Sequence, residues 1–589
     1  MKLLKAKLVP SQLITPAQRR PVEVRPLELH SRSRALRLGF RMTIWVGRAM
    51  LYKIRRRPLD LAMAIEIRLL IEEMGGLWVK TGQLLSLRTD LLNADFSREL
   101  SRLQYAAVGF PFDVARRVLE TELGQPLEAV FSEFDEHPVA AASICQVHRA
   151  RLRANGELVA VKVQRPGIEQ RFARDLVWLN RLLKSMRFMP GMSFFTWDEM
   201  IWETTQIFQE EVDYRYEASN TRRLHTTLDK HDVYVPMVFD CSTQRVLVLE
   251  WVPGVLMSSF LEMGREHPEQ LVKWCRDNNV DAAKIGEKLF LTFFRQLFED
   301  NLFHGDLHPG NILLLRDSKL ALIDFGSAGT NDETLLENYK MSMKGVGDKD
   351  FPMAVDYLFL LSDRLPAVNI EAVKAKVVRT YQAWSERAEH RELPYYEKSI
   401  GNMGLEAGNV LIENQIVLSW SFMKISRTWA TLDASLAALL PDVNYMKLVS
   451  KYFKGAKKRS LQDLGKRGPI HLMGRLRTLG VEADMHLEEI SRGMLRHRTH
   501  LSKAEYVFDV ILRVILRVTQ LATVLMVGIF ILLEVEALQE IVSPQGPARH
   551  LIEIVPDLAY EYQSISIGVA GLFLYCILKL RRSLKGLGA

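Results

Sequence analysis

The sequence predicts an α+β protein with a two-lobed body, a helical extension before that body and an apolar helical hairpin after it. Between about residues 118 and 450, strand-like runs such as "ELVAVKVQ" and "RVLVLEWV" come first, and long helical patterns with a few short strands follow. Strands followed by helices in one chain are typical of an α+β domain. The 589 residues and 48% hydrophobic content suffice for two or more units with sizeable cores.

The part of the chain before the body is basic at first and then helical. Residues 1–59 carry 15 Lys and Arg against two acids, in a chain whose net charge is +8. Such a segment favours contact with an anionic membrane or with nucleic acid. No nucleic-acid module accompanies it, so we expect anionic membrane lipids and no nucleic acid, with a solvated tail as the alternative. Residues 61–110 are expected to be helical, because apolar side chains recur there every three or four positions.

The cysteines and the first residues bear on the compartment. The four cysteines show no paired or metal-type spacing, which favours a reducing compartment over a disulfide framework. The N-terminal apolar runs are too short and too charged for a secretory signal peptide. Residues 1–21 contain five basic residues and no acid, which is compatible with a targeting presequence.

Two uncharged apolar runs near the C-terminus, residues 518–533 and 565–578, predict a transmembrane hairpin. Each run is short for a bilayer core of ~30 Å, but the flanking charges support the assignment. Basic residues flank the outer ends of both runs, and the loop between them is acidic, which is the charge asymmetry of a hairpin with both ends on the cytoplasmic or matrix side. A buried hairpin of a soluble protein is the alternative.

The strongest chemical signal is "HGDLHPGN" followed by "LALIDFGSAG". Phosphoryl transfer needs a carboxylate near the attacking group, oxygen ligands for Mg²⁺ and neutralisation of the phosphate charge. Asp306 and Asn311 have the five-residue interval of a kinase catalytic loop, and Asp324 opens the Asp-Phe-Gly triplet. We therefore interpret Asp306 as the catalytic aspartate, and Asn311 and Asp324 as Mg²⁺ ligands of an ATP site.

Lys162, on the strand "VAVKV", is the candidate contact for the α- and β-phosphates of ATP, since alternation on this strand presents the ammonium to a cleft. A surface lysine is the alternative. Such a lysine needs a glutamate from a helix, and "QEEVDYRYEASN" offers four acids. If this segment is one helix, Glu210, Asp213 and Glu217 share a face and Glu211 is turned away. The apolar neighbours do not decide which acid points inward.

The run "LVLEWVPG" resembles the hinge between two kinase lobes, in which the backbone near Glu250 and Val252 would hydrogen-bond adenine. Together these features resemble the UbiB/AarF family of atypical kinase-like proteins of bacteria and mitochondria. The motifs most specific to that family are "KTGQ" at residues 80–83, "AAAS" at residues 140–143, "EVD" at residues 211–213 and "HGDLHPGN".

The resemblance implies several roles. Lys80 and Gln83 would lie on helices that cover the active cleft and meet Glu211 and Asp213, and Glu217 would be the partner of Lys162. The site residues so implied are the catalytic set Asp306, Lys80, Gln83, Glu211 and Asp213, the nucleotide-binding set Ala140, Ala141, Ala142, Ser143, Val147, Lys162, Glu217, Glu250 and Val252, and the metal ligands Asn311 and Asp324.

The expected fold class is therefore an α+β, two-lobed protein-kinase-like fold with an N-terminal helical KxGQ extension and a C-terminal transmembrane helical hairpin. The expected parts are a basic arm (1–60), the KxGQ extension (61–117), an N-lobe with the alanine-rich loop (118–255), a helical C-lobe (256–453), a basic connector (454–510) and two transmembrane helices (511–589).

Alanine replaces the glycine that kinases use to bring backbone N–H groups close to phosphates. We expect residues 140–142 to be stiffer than a glycine loop and to begin a helical turn, and nucleotide handling to be altered. Slow hydrolysis of Mg-ATP is then favoured over phosphorylation of a peptide.

By resemblance, such proteins support ubiquinone biosynthesis, with quinone precursors and ubiquinone-biosynthesis proteins as partners. The expected location is the bacterial inner membrane with the kinase-like domain in the cytoplasm, or the mitochondrial inner membrane. A protein or small-molecule kinase of the quinone pathway and a non-catalytic nucleotide- and lipid-binding scaffold are the alternatives. A homodimer is left open.

Overall fold

The computed structural model describes most of the chain between residues 61 and 467. Its two compact units are residues 1–363 with 371–486, and residues 364–370 with 487–589, and the second lies almost wholly outside the described residues. The predicted transmembrane hairpin and most of the basic connector also lie outside them. None of the described helices is long and apolar enough to cross a membrane. The described residues are 7–13, 15, 22–25, 41–42, 44–45, 47–48, 61–75, 77–86, 96, 99–100, 103, 108–142, 144–186, 197–365 and 369–467.

Helices make up most of the described residues, and short strands form the remainder of the regular structure. The helices are α1 (Leu61–Met74), α2 (Leu77–Ser86), α3 (Phe112–Leu123), α4 (Leu127–Val130), α5 (Ile168–Met186), α6 (Trp197–Val212), α7 (Tyr214–Asp229), α8 (Met257–Glu266), α9 (Pro268–Asp277), α10 (Ala282–Phe298), α11 (Glu333–Asp348), α12 (Phe351–Phe359), α13 (Ile370–Arg387), α14 (Tyr395–Lys398), α15 (Ile400–Glu413), α16 (Trp420–Leu439) and α17 (Tyr445–Arg467). The strands are β1 (Phe131–Phe134), β2 (Ala140–Ala141), β3 (Cys145–Leu152), β4 (Leu158–Gln164), β5 (Val246–Glu250), β6 (Val255–Leu256), β7 (Ile312–Leu314), β8 (Leu320–Leu322), β9 (Ser362–Arg364) and β10 (Val417–Leu418).

The N-lobe is built on an antiparallel sheet in the order β1-β3-β4-β5, with β2 paired to β3. Side chains alternate across β4: Val159, Val161 and Val163 are fully buried against α3, while Lys162 points to the opposite face. Lys162 pairs in register with Val147 on one side and Leu247 on the other. The sheet thus presents the lysine to the cleft, as alternation predicts. α3 begins at Phe112 and so crosses the boundary predicted between residues 117 and 118.

The alanine-rich segment is a strand, which corrects the expected helical turn. Ala140 and Ala141 pair with Val147 and Gln146 of β3, and the Ala142 N–H donates to the Cys145 carbonyl at 2.8 Å. These ladder bonds satisfy the backbone in an extended conformation, and tertiary pairing therefore overrides the helical propensity of alanine.

The C-lobe is held by an aromatic core between α10, α16 and α17. Phe293 and Phe294 meet Trp429 with ring centroids 5.1 and 5.7 Å apart, and Phe294 meets Tyr452 at 5.1 Å. Edge-to-face aromatic pairs of this kind add to the energy of apolar burial. Beside this core lies the small sheet β6-β7-β8, which positions the loops before and after β7 and β8.

A third layer consists of α1, α2, α5 and α6, which share one apolar cluster. Two side chains from other parts of the body pack against this helical layer: Ile144, at the tip of the alanine hairpin, and Val417, on β10 just before α16. The helical layer therefore contacts both the N-lobe hairpin and the C-lobe.

The described stretches of the basic arm lie against the body. Arg41 and Arg48 form ion pairs with Glu73 and Glu66 of α1 at 2.5 and 2.9 Å. Farther upstream, the Ser11 N–H donates to the side chain of Asn278 at 2.8 Å. These contacts join the described residues of the arm to the folded body, while the side chains of Arg41 and Arg48 stay 45% and 48% exposed.

Candidate active site

The centre of the site is Lys162, whose ammonium lies between two carboxylates. Its Nζ is 2.6 Å from Glu217 Oε1 and 3.2 Å from Asp324 Oδ2. The Glu217 side chain is buried, that of Lys162 is 13% exposed, and that of Asp324 is 48% exposed. Of the four candidate acids, the structure brings Glu217 to the lysine, as the resemblance implies.

Glu217 reaches Lys162 because the helical segment is interrupted, which corrects the expectation of one continuous helix. α6 ends at Val212 and α7 begins at Tyr214, and Asp213 between them is extended, with φ −124° and ψ 100°. The Asp213 carboxylate caps α7 by accepting from the Arg215 N–H, which disfavours continuation of α6. Glu217 then falls in the first turn of α7.

Two further contacts fix the start of α7 against the N-lobe sheet. The Gln164 side chain donates to the Val212 carbonyl at 2.7 Å, and the Tyr214 N–H donates to the Gln244 carbonyl at 3.0 Å. Tyr214 itself is buried with Leu247 and Leu249 of β5. The position of Glu217 is thus determined by contacts with strands distant in sequence.

The electrostatics of this centre are those of a buried ion pair with one extra carboxylate. Burial lowers the pKa of Lys162, but Asp324 and Glu217 outweigh it and the net direction is upward. Burial raises the pKa of Glu217, and the attraction of Lys162 only partly opposes that rise. Two carboxylates around one ammonium leave a negative excess at the exposed Asp324, which suits a divalent cation.

Asp324 has a left-handed backbone with φ +62°. This conformation costs a non-glycine residue about 1–2 kcal/mol and persists where the surroundings dictate it. Here the fully buried Phe325 follows it, with its ring centroid 4.9 Å from that of His304. The His304 ring in turn contacts the Ile323 carbonyl at 3.0 Å, and burial lowers its pKa, which favours the neutral form. The contacts of both neighbouring residues, Ile323 and Phe325, with His304 therefore hold Asp324 in this conformation.

The catalytic loop carries Asp306 and Asn311 and is joined to the strand before Asp324. The Asn311 side chain donates through Nδ2 to the Asp306 carbonyl at 3.1 Å, and the Ile323 N–H donates to the Asn311 carbonyl at 2.9 Å. Because the amide nitrogen of Asn311 is used in this hydrogen bond, the side-chain atom that would bind a metal ion is the carboxamide oxygen. The Asp306 carboxylate forms an ion pair with Arg427 at 2.9 Å.

The hinge follows β5, and Glu250 is buried in it. Its carboxylate accepts from the Tyr234 hydroxyl at 2.5 Å and from the Met237 N–H at 3.2 Å, so the side chain supports the hinge. The backbone N–H groups of Glu250 and Trp251 are used within the protein. Among the described residues, the Val252 N–H has no protein acceptor, and its contact with an adenine ring stays a prediction.

The remaining predicted site residues are placed as follows. Lys80 and Gln83 lie on α2, and Glu211 lies near the end of α6, within the helical layer. Asp213 bonds Arg215, which holds the pKa of that carboxyl below its usual value. The side chains of Lys80 and Gln83 are outside the described atoms, as is Ser143, so their meeting with Glu211 and Asp213 stays a prediction.

Sequence analysis missed two groups that touch the predicted site residues. Arg427 and Thr431 of α16 contact the catalytic loop, and Tyr234 supports Glu250 from a segment paired with β8. No motif marks these positions, because each residue lies on an element that only the folded structure brings to its partner. Polar residues at four-residue spacing on α16 (Arg427, Thr431 and Ser435) were a weak signal, because the helix carries other polar residues as well.

Lys162, Asn311 and Asp324 fit the requirements of Mg-ATP. Mg²⁺ in phosphoryl-transfer sites is usually bound by one or two protein carboxylates together with phosphate and water oxygens. The described residues contain no group of three or more His, Cys, Asp or Glu side chains that could hold a metal ion. Asp324 and Asn311 would hold the metal, and Lys162 would neutralise phosphate charge.

Residues 102–358 match the family model described as the ABC1 atypical kinase-like domain. The chain is 30% identical over 404 residues to the chloroplastic protein ACTIVITY OF BC1 COMPLEX KINASE 7 of Arabidopsis thaliana, covering 68% of this chain and 55% of that protein. It is 32% identical to the probable protein kinase UbiB of Shewanella sp. strain MR-4, covering 51% of this chain and 55% of that protein. The chain thus spans about half the length of these curated relatives.

Two further similarities were found. An uncharacterized Synechocystis protein, slr0889, is 32% identical over 319 residues, and the chain covers 76% of that protein. Among solved structures, the complex of Rv3197 with erythromycin from Mycobacterium tuberculosis is 25% identical, with a TM-score of 0.41, and covers 63% of this chain and 90% of that one.

Gly305→Ala is expected to destabilise the site. Gly305 has φ +66°, and a Cβ there would lie 1.9 Å from the Ser327 carbonyl oxygen, whose displacement would move Asp324. Alanine at residue 305 would be strained by the left-handed backbone and crowded by the Ser327 carbonyl. We therefore expect the melting temperature of the variant to be on the order of 5 °C below that of the wild type. Differential scanning fluorimetry measures this.

Gly326→Ala is the matched control, because a Cβ there has 3.6 Å to its nearest neighbour, Asp324 Oδ1. It should melt close to the wild-type temperature. Equal melting temperatures for the two variants would contradict the described packing of the catalytic loop against residue 327.

Proposed function

The chain belongs to the UbiB/AarF family, whose shared domain is the ABC1 atypical kinase-like domain, and from that membership we propose that it is a membrane-bound ATPase supporting ubiquinone biosynthesis. The observation that carries the proposal is the arrangement of Lys162 between Glu217 and Asp324 beside a helical layer that packs on the alanine hairpin. The residues of the ion pairs would bind the phosphates and the magnesium ion of Mg-ATP. The helical layer would limit the size of the molecule that can accept the γ-phosphoryl group.

The roles of the residues follow from their charges and positions. Lys162 binds the α- and β-phosphates, with Glu217 holding the ammonium in place. Asp324 and Asn311 would hold Mg²⁺, which would supply positive charge to neutralise the phosphates. Asp306 orients a water molecule, whose oxygen bonds to the γ-phosphorus as the bond to ADP breaks. The electron pair of that bond leaves with ADP, and the proton of the water passes through Asp306 to solvent.

Water is favoured over a peptide hydroxyl as the acceptor. A protein substrate must bring an extended segment to Asp306, but helices α1, α2, α5 and α6 pack against Ile144 of the N-lobe and Val417 of the C-lobe. One Asp306 oxygen is also taken by Arg427. A small molecule such as water needs much less room than a peptide.

The alanine hairpin contributes to the altered nucleotide handling. Kinase glycine loops bring backbone N–H groups close to the phosphates. In this chain, the Val139 and Ala142 N–H groups donate to Val147 and Cys145 of the same hairpin at 2.8 Å. Those donors are engaged within the sheet, so Lys162 and the metal provide most of the phosphate binding.

A membrane-facing surface is supported by one side of α1. Leu61, Ile65 and Leu69 are exposed at four-residue spacing, while the opposite side of α1 is buried in the helical layer. Lys53 and three consecutive arginines precede this helix in the sequence. An exposed apolar stripe next to basic residues is typical of a surface that binds anionic lipid. We therefore place the bilayer on this side, in the bacterial inner membrane or the mitochondrial inner membrane.

Ubiquinone biosynthesis enters the proposal through the family, as relatives of this chain are named UbiB. ATP hydrolysis at a membrane surface would make hydrophobic quinone precursors accessible to the modifying proteins. A protein kinase of the same pathway is the alternative, and relatives named probable protein kinases favour it.

Asp324→Asn is expected to reduce phosphate release from ATP by at least about tenfold, because it removes a charged metal ligand. Anionic liposomes and a quinone-like phenol should stimulate wild-type hydrolysis. The measurement is inorganic phosphate release by the full chain in detergent, with complementation of quinone synthesis in cells.

Asp240→Asn is the control, since Asp240 is fully exposed and pairs only with Arg222 at 3.6 Å. Full complementation by Asp324→Asn would favour the scaffold alternative. Transfer of labelled phosphate to a second protein would favour the kinase alternative.

Ala142→Gly is expected to raise the affinity for ADP and ATP severalfold. Glycine loosens the hairpin and lets its N–H groups approach phosphates. Fluorescence titration with a labelled nucleotide measures the change, and unchanged affinity would refute this account of the hairpin.

The double substitution Ile65→Glu and Leu69→Glu is expected to remove most of the stimulation by anionic liposomes and to leave basal hydrolysis intact. Charged side chains oppose burial in the lipid interface. Leu405→Glu, at an exposed leucine on α15, is the control and should keep the stimulation. If the α1 variant is stimulated as strongly as the control, α1 does not face the membrane.

A further inference from the structure

Asp306 of the catalytic loop forms an ion pair with Arg427, which lies on the distant helix α16. Arg427 Nη2 lies 2.9 Å from Asp306 Oδ2, and both side chains are largely buried, at 14% and 18% exposure. The two residues are 121 positions apart. A buried charge-assisted hydrogen bond of this length is stronger than an exposed ion pair, because little solvent screens it.

Arg427 belongs to a polar stripe on α16 that follows the catalytic loop. Arg427, Thr431 and Ser435 are spaced four residues apart and so lie on one face of the helix. Thr431 Oγ1 accepts from the Leu307 N–H at 3.0 Å, and Ser435 Oγ donates to the Leu307 carbonyl at 2.8 Å. The stripe thus holds the Asp306 carboxylate and both backbone groups of the next residue.

The packing of the opposite face of α16 fixes the rotation of this helix, so the polar stripe stays directed at the catalytic loop. Trp429 packs among the rings of Phe290, Phe293 and Phe294, and its indole N–H donates to the Tyr339 hydroxyl. Rotation of α16 would break this aromatic core. Arg427 is therefore held as firmly as the C-lobe core itself.

We propose that Arg427, with Thr431 and Ser435, positions Asp306 for hydrolysis; this inference rests on the ATPase activity proposed above. A carboxylate on a surface loop samples several rotamers, and each wrong rotamer directs its oxygen away from the acceptor. The planar guanidinium fixes the orientation of the Asp306 carboxylate, and with it the direction from which that carboxylate meets the water. Lysine cannot reproduce this geometry, because an ammonium is a point charge without a preferred plane.

Arg427 acts through Asp306 and does not hold the nucleotide. Lys162 contacts Glu217 and Asp324, and Asn311 contacts the Asp306 main chain, so none of these contacts is made with the Arg427 guanidinium. Loss of the guanidinium should therefore lower kcat and leave the KM for ATP nearly unchanged. A merely structural role would lower the melting temperature and the affinity for ATP as well.

The test is Arg427→Met and Arg427→Lys in the full chain, measured by phosphate release. Arg427→Met is expected to lower kcat by about 10- to 100-fold, the equivalent of one charged hydrogen bond, with partial rescue by Arg427→Lys. In an Asp306→Asn background the same change should cost less than about threefold, because the two residues act together. Arg379→Met, at an exposed arginine bonded to its own helix at Ala375, is the matched control.

Hydrogen–deuterium exchange of a peptide covering residues 304–311 tests the stripe without any enzymatic activity. Thr431→Val removes the acceptor of the Leu307 N–H and should speed its exchange by roughly fivefold. Arg427→Met should speed exchange of the same peptide, and Arg379→Met should not.

The outcomes separate the two proposals. Absence of wild-type hydrolysis above that of Asp324→Asn would refute the proposed ATPase, and the inference would then be decided by exchange alone. An increase of kcat in Arg427→Met, or unaltered exchange in both α16 variants, would overturn the positioning role. Lower kcat with unchanged KM and faster exchange supports it.

Discussion

The ion pairs of Lys162 with Glu217 and Asp324 are the constraint on which the site depends. They join three elements that are far apart in the chain, namely β4, α7 and the loop after β8. Removing Lys162 would leave the Glu217 carboxylate, which is 5% exposed, without its cation, and an uncompensated buried charge is strongly destabilising. The sheet, the helix and the loop must therefore be in place together, and the half-exposed Asp324 is the point at which this arrangement meets solvent.

In the C-lobe, helix α16 likewise joins elements that are far apart in the chain. One of its faces completes the aromatic core through Trp429, and another holds the catalytic loop through Arg427 and Thr431. The strand before it carries Val417, which packs against the helical layer. The same short segment of chain thus contacts the aromatic core, the catalytic loop and the helical layer, and so links the helical extension to the loop that carries Asp306.

Several local expectations failed where long-range contacts compete with local preference. Residues 140–142 have helical propensity, but pairing with β3 makes Ala140–Ala141 a strand. The acids from Glu210 to Glu217 fit one helix by spacing, but Asp213 prefers to cap the next helix. Both outcomes depend on partners elsewhere in the fold, namely Val147 in one case and the Gln244 carbonyl in the other. Propensity and periodicity contain no information about such partners.

The sequence by itself determined the family, the two-lobed body and the identities of Lys162, Asp306, Asn311 and Asp324, because those residues sit in motifs whose spacing phosphoryl transfer requires. Tertiary structure alone decided which residue holds Asp306, and it showed that Glu217, which the family resemblance implies and helical spacing leaves open, pairs with Lys162. Glu217 is 55 residues from its partner and Arg427 is 121 residues from its own. Contacts at such separations arise from packing of whole elements, and a side chain's chemistry does not reveal which distant surface the folded chain will bring to it.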